Sequence, residues 1–135
     1  WTARVRQTKE LEIHAEIEEK IFYPAMMHVK TKEILVESVE EHLSIKRLLA
    51  DMMQLDPDDE HFDAKLSVLK EQVSHHAHEE EEGELFPKVR RLVDKEYLGA
   101  LGNEMLAMFE SMLDSAPREN VPAETAEAAP LDTNV

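Results

Sequence analysis

Residues 31–54 read Thr31-Lys-Glu-Ile-Leu-Val-Glu-Ser-Val-Glu-Glu-His42-Leu-Ser-Ile-Lys46-Arg-Leu-Leu-Ala-Asp-Met-Met-Gln54. Ile34, Leu35, Val39, Leu43, Ile45, Leu49 and Met52 recur at steps of three and four, the spacing that lines one face of an α-helix. Period-two alternation, the mark of a strand, is scarce here and elsewhere. His42 stands three residues after Val39 and seven before Leu49, so an imidazole lies on the apolar face.

The same helical spacing extends on both sides. Upstream, a helix is expected from about Arg4 to Met27, with Leu11, Ile17, Ile21, Phe22 and Ala25 as its apolar positions. Pro24 should perturb its end, because proline clashes with the preceding turn. Downstream, Leu55–Glu60 reads as a turn: Pro57 fixes φ, and Asp58 or Asp59 can cap the next helix. That helix should run from near Asp59 past Glu82, with Phe62, Leu66, Leu69 and Val73 on one face, and Pro87 should interrupt or bend it. A shorter helix is expected over Lys95–Leu113, capped by Asp94 and weakened at Gly99 and Gly102 by roughly 1 kcal/mol each. Residues 115–135 are rich in Ala, Pro and Glu without periodicity and read as a disordered acidic tail. The expectation is therefore all-α: an up-down antiparallel bundle over residues 1–114, followed by that tail.

Composition narrows the function. At 135 residues and 42% apolar, the chain is one domain with enough material for a core. It contains no Cys, which excludes disulfide scaffolds, thiolate zinc sites, iron–sulfur clusters and cysteine nucleophiles, and suits a reducing compartment such as the cytoplasm. No apolar run is long enough to span a membrane, and no signal-peptide pattern opens the chain. Thirty Asp and Glu against fifteen Lys and Arg give a formal charge of −15, a surface that repels nucleic acid and anionic lipid. Seven His accompany those carboxylates. Imidazole with carboxylate and no thiolate is a donor set for iron, manganese or zinc rather than Cu(I).

Position sharpens this reading. His14 and Glu18 are four apart, on one face of the first helix, and His76 and Glu80 repeat the spacing on the third. With His42, three helices each send an imidazole toward one interior. Such groups are costly in a core unless paired or ligating. The expected metal ligands are His14, Glu18, His42, His76 and Glu80, and the two carboxylates are placed to bridge two metals. The third helix has a register conflict. Phe62, Leu66, Leu69 and Val73 step forward to His76 and Glu80, whereas Val93, Val89 and Phe86 step back to Glu82, Glu79 and His75. One extra residue must be absorbed near residues 77–83, as a π-bulge would do. His75 with Glu79, or Glu81, are the alternatives. His28, His61, His75 and His78 lie off the stripes, and Glu19 and His61 are expected to be solvated. The seven Met follow helical stripes and read as core filler.

These residues carry a resemblance. His14-Ala-Glu-Ile-Glu18-Glu-Lys-Ile-Phe-Tyr-Pro24 resembles the second-helix motif of the hemerythrin-like, or HHE cation-binding, domain family. Glu41-His42 resembles its third-helix motif. His75-His76-Ala-His-Glu-Glu80-Glu-Glu-Gly-Glu-Leu-Phe-Pro87 resembles its fourth. The resemblance covers about Lys9 to Leu113. It implies non-haem iron, usually a di-iron centre, in a four-helix bundle that binds a small diatomic molecule or peroxide and acts in oxygen, nitric oxide, peroxide or iron sensing and handling. Two departures stand out. Lys46 occupies the position where oxygen carriers of the family have a second His, which favours a carboxylate-richer site. No residue before His14 matches the family's first-helix Asp-His motif. The bundle is thus expected to lack that helix, to hold about one metal, and to form a homodimer through the groove left open or be unstable alone. The other class of function is a helical interaction or regulatory module with a structural or vestigial metal site. No catalytic residue is assigned.

Overall fold

The computed structural model describes residues 2–113 and 122–135; the side chains of residues 2–8 and 79–82 lie outside that description, and with them the Glu80 carboxylate. Every long element is helical, and no strand occurs among the described residues. A first rod is built from α1 (Thr2–Ile17), a π-helical segment π1 (Glu18–Phe22) and α2 (Tyr23–Ala25). A second rod is α3 (Lys32–Met53). The third joins α4 (Glu60–His75), a second π-helical segment π2 (His76–Leu85) and α5 (Phe86–Leu92). The fourth is α6 (Lys95–Met112).

The connections follow from local chemistry. Between the first two rods, the Thr31 hydroxyl accepts from the His28 amide at 3.0 Å and donates to the Met26 carbonyl at 2.7 Å. His28 Nδ1 accepts from the Lys30 amide at 3.0 Å, so this His shapes a turn. Asp59 caps α4 by accepting from the His61 amide at 2.8 Å, and Asp94 caps α6 through the Glu96 amide at 3.1 Å. Both satisfy amides that a helix start leaves without partners.

Neither proline ends its rod. Pro24 and Pro87 each sit at the second residue of the α segment that follows a π segment. A proline inside a helix lacks an N–H and crowds the carbonyl one turn back. In both rods the turn before it is wound wider, with i→i+5 bonds.

Two apolar clusters form the core. One comprises Tyr23, Met26, Ile34, Leu35, Val39, Leu85, Val89 and Leu101; the other comprises Ile45, Leu49, Met52, Leu66 and Leu69. On α3 the first cluster ends at Val39 and the second starts at Ile45, with His42 between them. On the third rod, His76 lies between Val73 and Leu85. A polar layer thus separates two apolar ones.

α6 lies along α1 and π1. Leu101 enters the first cluster, with Leu98 and Met105 packed against it, and Lys9 donates from α1 to the Leu113 carbonyl. Farther along, a cavity of about 330 Å³ lined by Leu11, Leu66, Leu69 and Val73 stays open. Residues 122–135 contain one short 3₁₀ turn at 122–124, and Ala128, Ala129 and Leu131 pack against the first cluster. That packing takes little regular structure, so periodicity carries no signal for it.

Candidate metal centre

The polar layer is built on the two π segments and α3. Glu18 opens π1 and His76 opens π2, while His42 projects from the middle of α3. All three are buried, and one ligand atom from each lies within 4.8 Å of the others. His42 Nε2 is 3.2 Å from His76 Nε2 and 3.3 Å from Glu18 Oε1. The Tyr23 hydroxyl completes the group, at 3.2 Å from Glu18 Oε2, 3.4 Å from His42 Nε2 and 3.2 Å from His76 Nε2. Tyr23 is fully buried.

Each imidazole is held from behind by a carboxylate. His42 Nδ1 is 2.7 Å from Glu19 Oε2, and His76 Nδ1 is 3.3 Å from Glu41 Oε2. In the neutral form of each ring, a proton on Nδ1 serves the carboxylate behind it and turns the Nε2 lone pair toward the centre. This is the outer arrangement that metal-binding histidines use to fix tautomer and ring orientation. Glu19 is in turn held by Lys46, whose ammonium is 2.7 Å from Glu19 Oε1.

Electrostatics agree with the geometry. Burial opposes charge on His42, but hydrogen bonds to Glu18 and Glu19 and their charges outweigh it and push its pKa up to about 9. Burial also works against the Glu19 carboxylate, yet bonds from His42 and Lys46 win and hold its pKa below the ordinary carboxylate value. Lys46 is desolvated too, and Glu19 with Glu124 keeps its pKa above normal. The layer is therefore built to stabilise one positive charge among carboxylates. A divalent cation satisfies the same requirement: two imidazoles, a carboxylate and a phenol are hard-to-borderline donors that suit iron, manganese or zinc.

The sequence-derived ligands fall into three groups. Glu18, His42 and His76 converge. His14 approaches Glu18 Oε1 at 3.2 Å, but its side chain is 65% exposed rather than turned into the core as expected. The buried positions of the described part of α1 are Glu12, Ile13, Ala15 and Ile17, and His14 is not among them. Glu80 falls outside the described side chains. Of the two register choices, His76 is buried and His75 exposed.

Glu19 overturns an expectation. Instead of being solvated, its side chain is 8% exposed and joins His42 to Lys46. The reason is π1, which turns two successive carboxylates, Glu18 and Glu19, toward α3. Tyr23 enters the sequence reading only within the Tyr-Pro ending of the first-rod motif. It is five residues from Glu18, which is about 1.4 turns of an α-helix and off its face. The i→i+5 winding of π1 brings the two together. Glu41, next to His42 in sequence, supports His76 rather than its neighbour, a pairing that spacing along one helix does not signal.

A buried group of two imidazoles and a carboxylate between apolar layers is a candidate cation site in a helical bundle. The chain belongs to the hemerythrin family: the profile of the hemerythrin HHE cation binding domain matches residues 5–89, which span all of these groups. Comparison with curated proteins gives no match, and comparison with solved structures gives none. Among the described residues, no helix is long and apolar enough to cross a membrane.

Proposed function

We propose that this chain binds iron through Glu18, His42 and His76, with Tyr23 as an adjoining donor, and that it senses or handles oxygen, nitric oxide, peroxide or iron itself. The observation that supports this most is the pair of Nε2 atoms facing each other at 3.2 Å, each backed by a carboxylate on Nδ1. Bound iron would supply a coordination position and a redox couple for a small diatomic molecule or peroxide. The chain's own residues do the rest. Glu19 and Glu41 fix the imidazoles, and Tyr23 holds a hydroxyl proton within 3.2 Å of Glu18. An apolar cavity of about 220 Å³ lined by Phe22, Phe86, Leu98 and Met105 opens onto Glu18 and His14, a route for a small uncharged molecule.

The test is metal retention by the full chain. Loaded with Fe(II) without oxygen and then desalted, it should keep about one iron per chain by elemental analysis, as one set of N/O donors predicts. Glu18→Ala, His42→Ala and His76→Ala should each abolish retention, and His61→Ala should not. Metal-free protein with unchanged helicity on adding Fe(II) would favour the interaction-module reading instead.

A further inference from the structure

The chain of charges behind His42 does not stop at Lys46. Lys46 Nζ is 2.7 Å from Glu19 Oε1 and 3.2 Å from Glu124 Oε2, in the C-terminal segment. The ammonium side chain is 9% exposed, and Glu124 is 35% exposed. The adjoining residue of α3 holds the same segment: Arg47 Nε donates to the Thr125 carbonyl at 3.0 Å and its Nη2 to the Ala126 carbonyl at 3.5 Å. Beyond this, Ala128, Ala129 and Leu131 pack on the first apolar cluster. The segment crosses the seam of α1 and α3, where Glu124 shares a small cavity with Ala15, Ile45 and Leu49.

We infer that residues 122–131 form a strap that belongs to the metal centre, with Glu124 and Lys46 as positioning residues that set the strength of cation binding through Glu19 and His42. The inference rests on the metal reading above. Lys46 has two carboxylate partners. With Glu124 in place, its charge is shared, and Glu19 keeps enough negative charge to hold His42 Nδ1–H and make Nε2 a better donor. Without Glu124, Lys46 spends its whole charge on Glu19 and draws it from His42. The Lys46–Glu19 pair is largely buried, whereas Glu124 is about a third exposed, so added salt should weaken the strap's part of the effect. Coupling is reciprocal: if the docked strap tightens cation binding, a bound cation must tighten strap docking by the same factor.

Zn(II) affinity, measured on the full chain by competition with a chromophoric chelator, tests this. Glu124→Gln should weaken Zn(II) binding by roughly threefold to tenfold, a step below the 10–100-fold typical of a group touching the ligand itself. Glu124→Asp should restore much of the loss. In the Lys46→Gln background, Glu124→Gln should have little further effect, because the path is already cut. Zn(II) should slow amide hydrogen exchange across residues 122–131 in the wild type and not in Glu124→Gln. If the wild type binds Zn(II) and Glu124→Gln binds it equally, or if Zn(II) leaves exchange of the strap unchanged, the strap inference is overturned and the metal reading stands. If the wild type binds neither Zn(II) nor Fe(II), both fall.

Discussion

His42 is the residue through which the polar layer holds its charge. It sits between Glu18 and Glu19, whose hydrogen bonds and charges push its pKa up to about 9. Its pairing therefore stabilises the metal-free fold fully below the unfolded value, and that contribution fades as pH rises through the folded one. A cation that takes Nε2 must displace this proton. Mn(II) affinity should thus climb about tenfold per pH unit from neutrality and level off near pH 9. In Glu19→Gln the plateau should come at lower pH and at weaker affinity. A titration in which wild-type affinity is flat from pH 7 to 9 would show that His42 gives up no proton to the cation. Much of this was readable in advance, since His42 and His76 break apolar stripes. What was not readable is the support. Glu19 and Tyr23 occupy positions that 3.6-residue spacing sends away from Glu18, and only a locally wider helix returns them.

That wider winding is a property of elements. The sequence carries the conflict in the third rod openly, since Val73 steps forward to His76 while Val89 and Phe86 step back to His75. In the structure His76 and Leu85 are both buried, although nine residues is about two and a half turns of an α-helix and should put them on opposite faces. π2 removes the half-turn across its ten residues. The matching segment in the first rod, π1, has no such warning, because the short α2 after it offers too few apolar positions to reveal a shift in phase. Rods, turns and the caps at Asp59 and Asp94 follow from periodicity and side-chain chemistry; the docking of α6 on α1 is tertiary packing that no local pattern states. Deleting Gly83, where an added Cβ would lie 3.4 Å from the His78 carbonyl oxygen, should let π2 rewind toward α geometry and rotate α5 relative to His76. The expected result is loss of metal retention with far-ultraviolet helicity nearly unchanged. Metal binding that survives the deletion would mean that the phase of π2 does not set the site.

Across the whole molecule, the polar layer divides the core and concentrates carboxylates in a chain already at −15. Glu18, Glu19 and Glu41 all point at two imidazoles, so self-repulsion and desolvation both work against the metal-free state. A bound cation relieves both, and it does so between the two apolar clusters, where all rods but the last contribute a group. Binding to the folded state alone adds stability by mass action, about 2.7 kcal/mol when free metal is a hundredfold above Kd. For a domain of this size, each kcal/mol moves the melting midpoint by roughly 3–6 °C. Saturating Fe(II) or Mn(II) should therefore raise Tm by about 10 °C. Added NaCl should stabilise the metal-free chain more than the loaded one, because screening substitutes for part of what the cation does. In His76→Ala the metal-dependent rise should vanish while the NaCl effect persists, since the acidic surface is untouched. An equal metal-induced rise in wild type and His76→Ala would place the stabilising cation on that surface rather than between the two clusters.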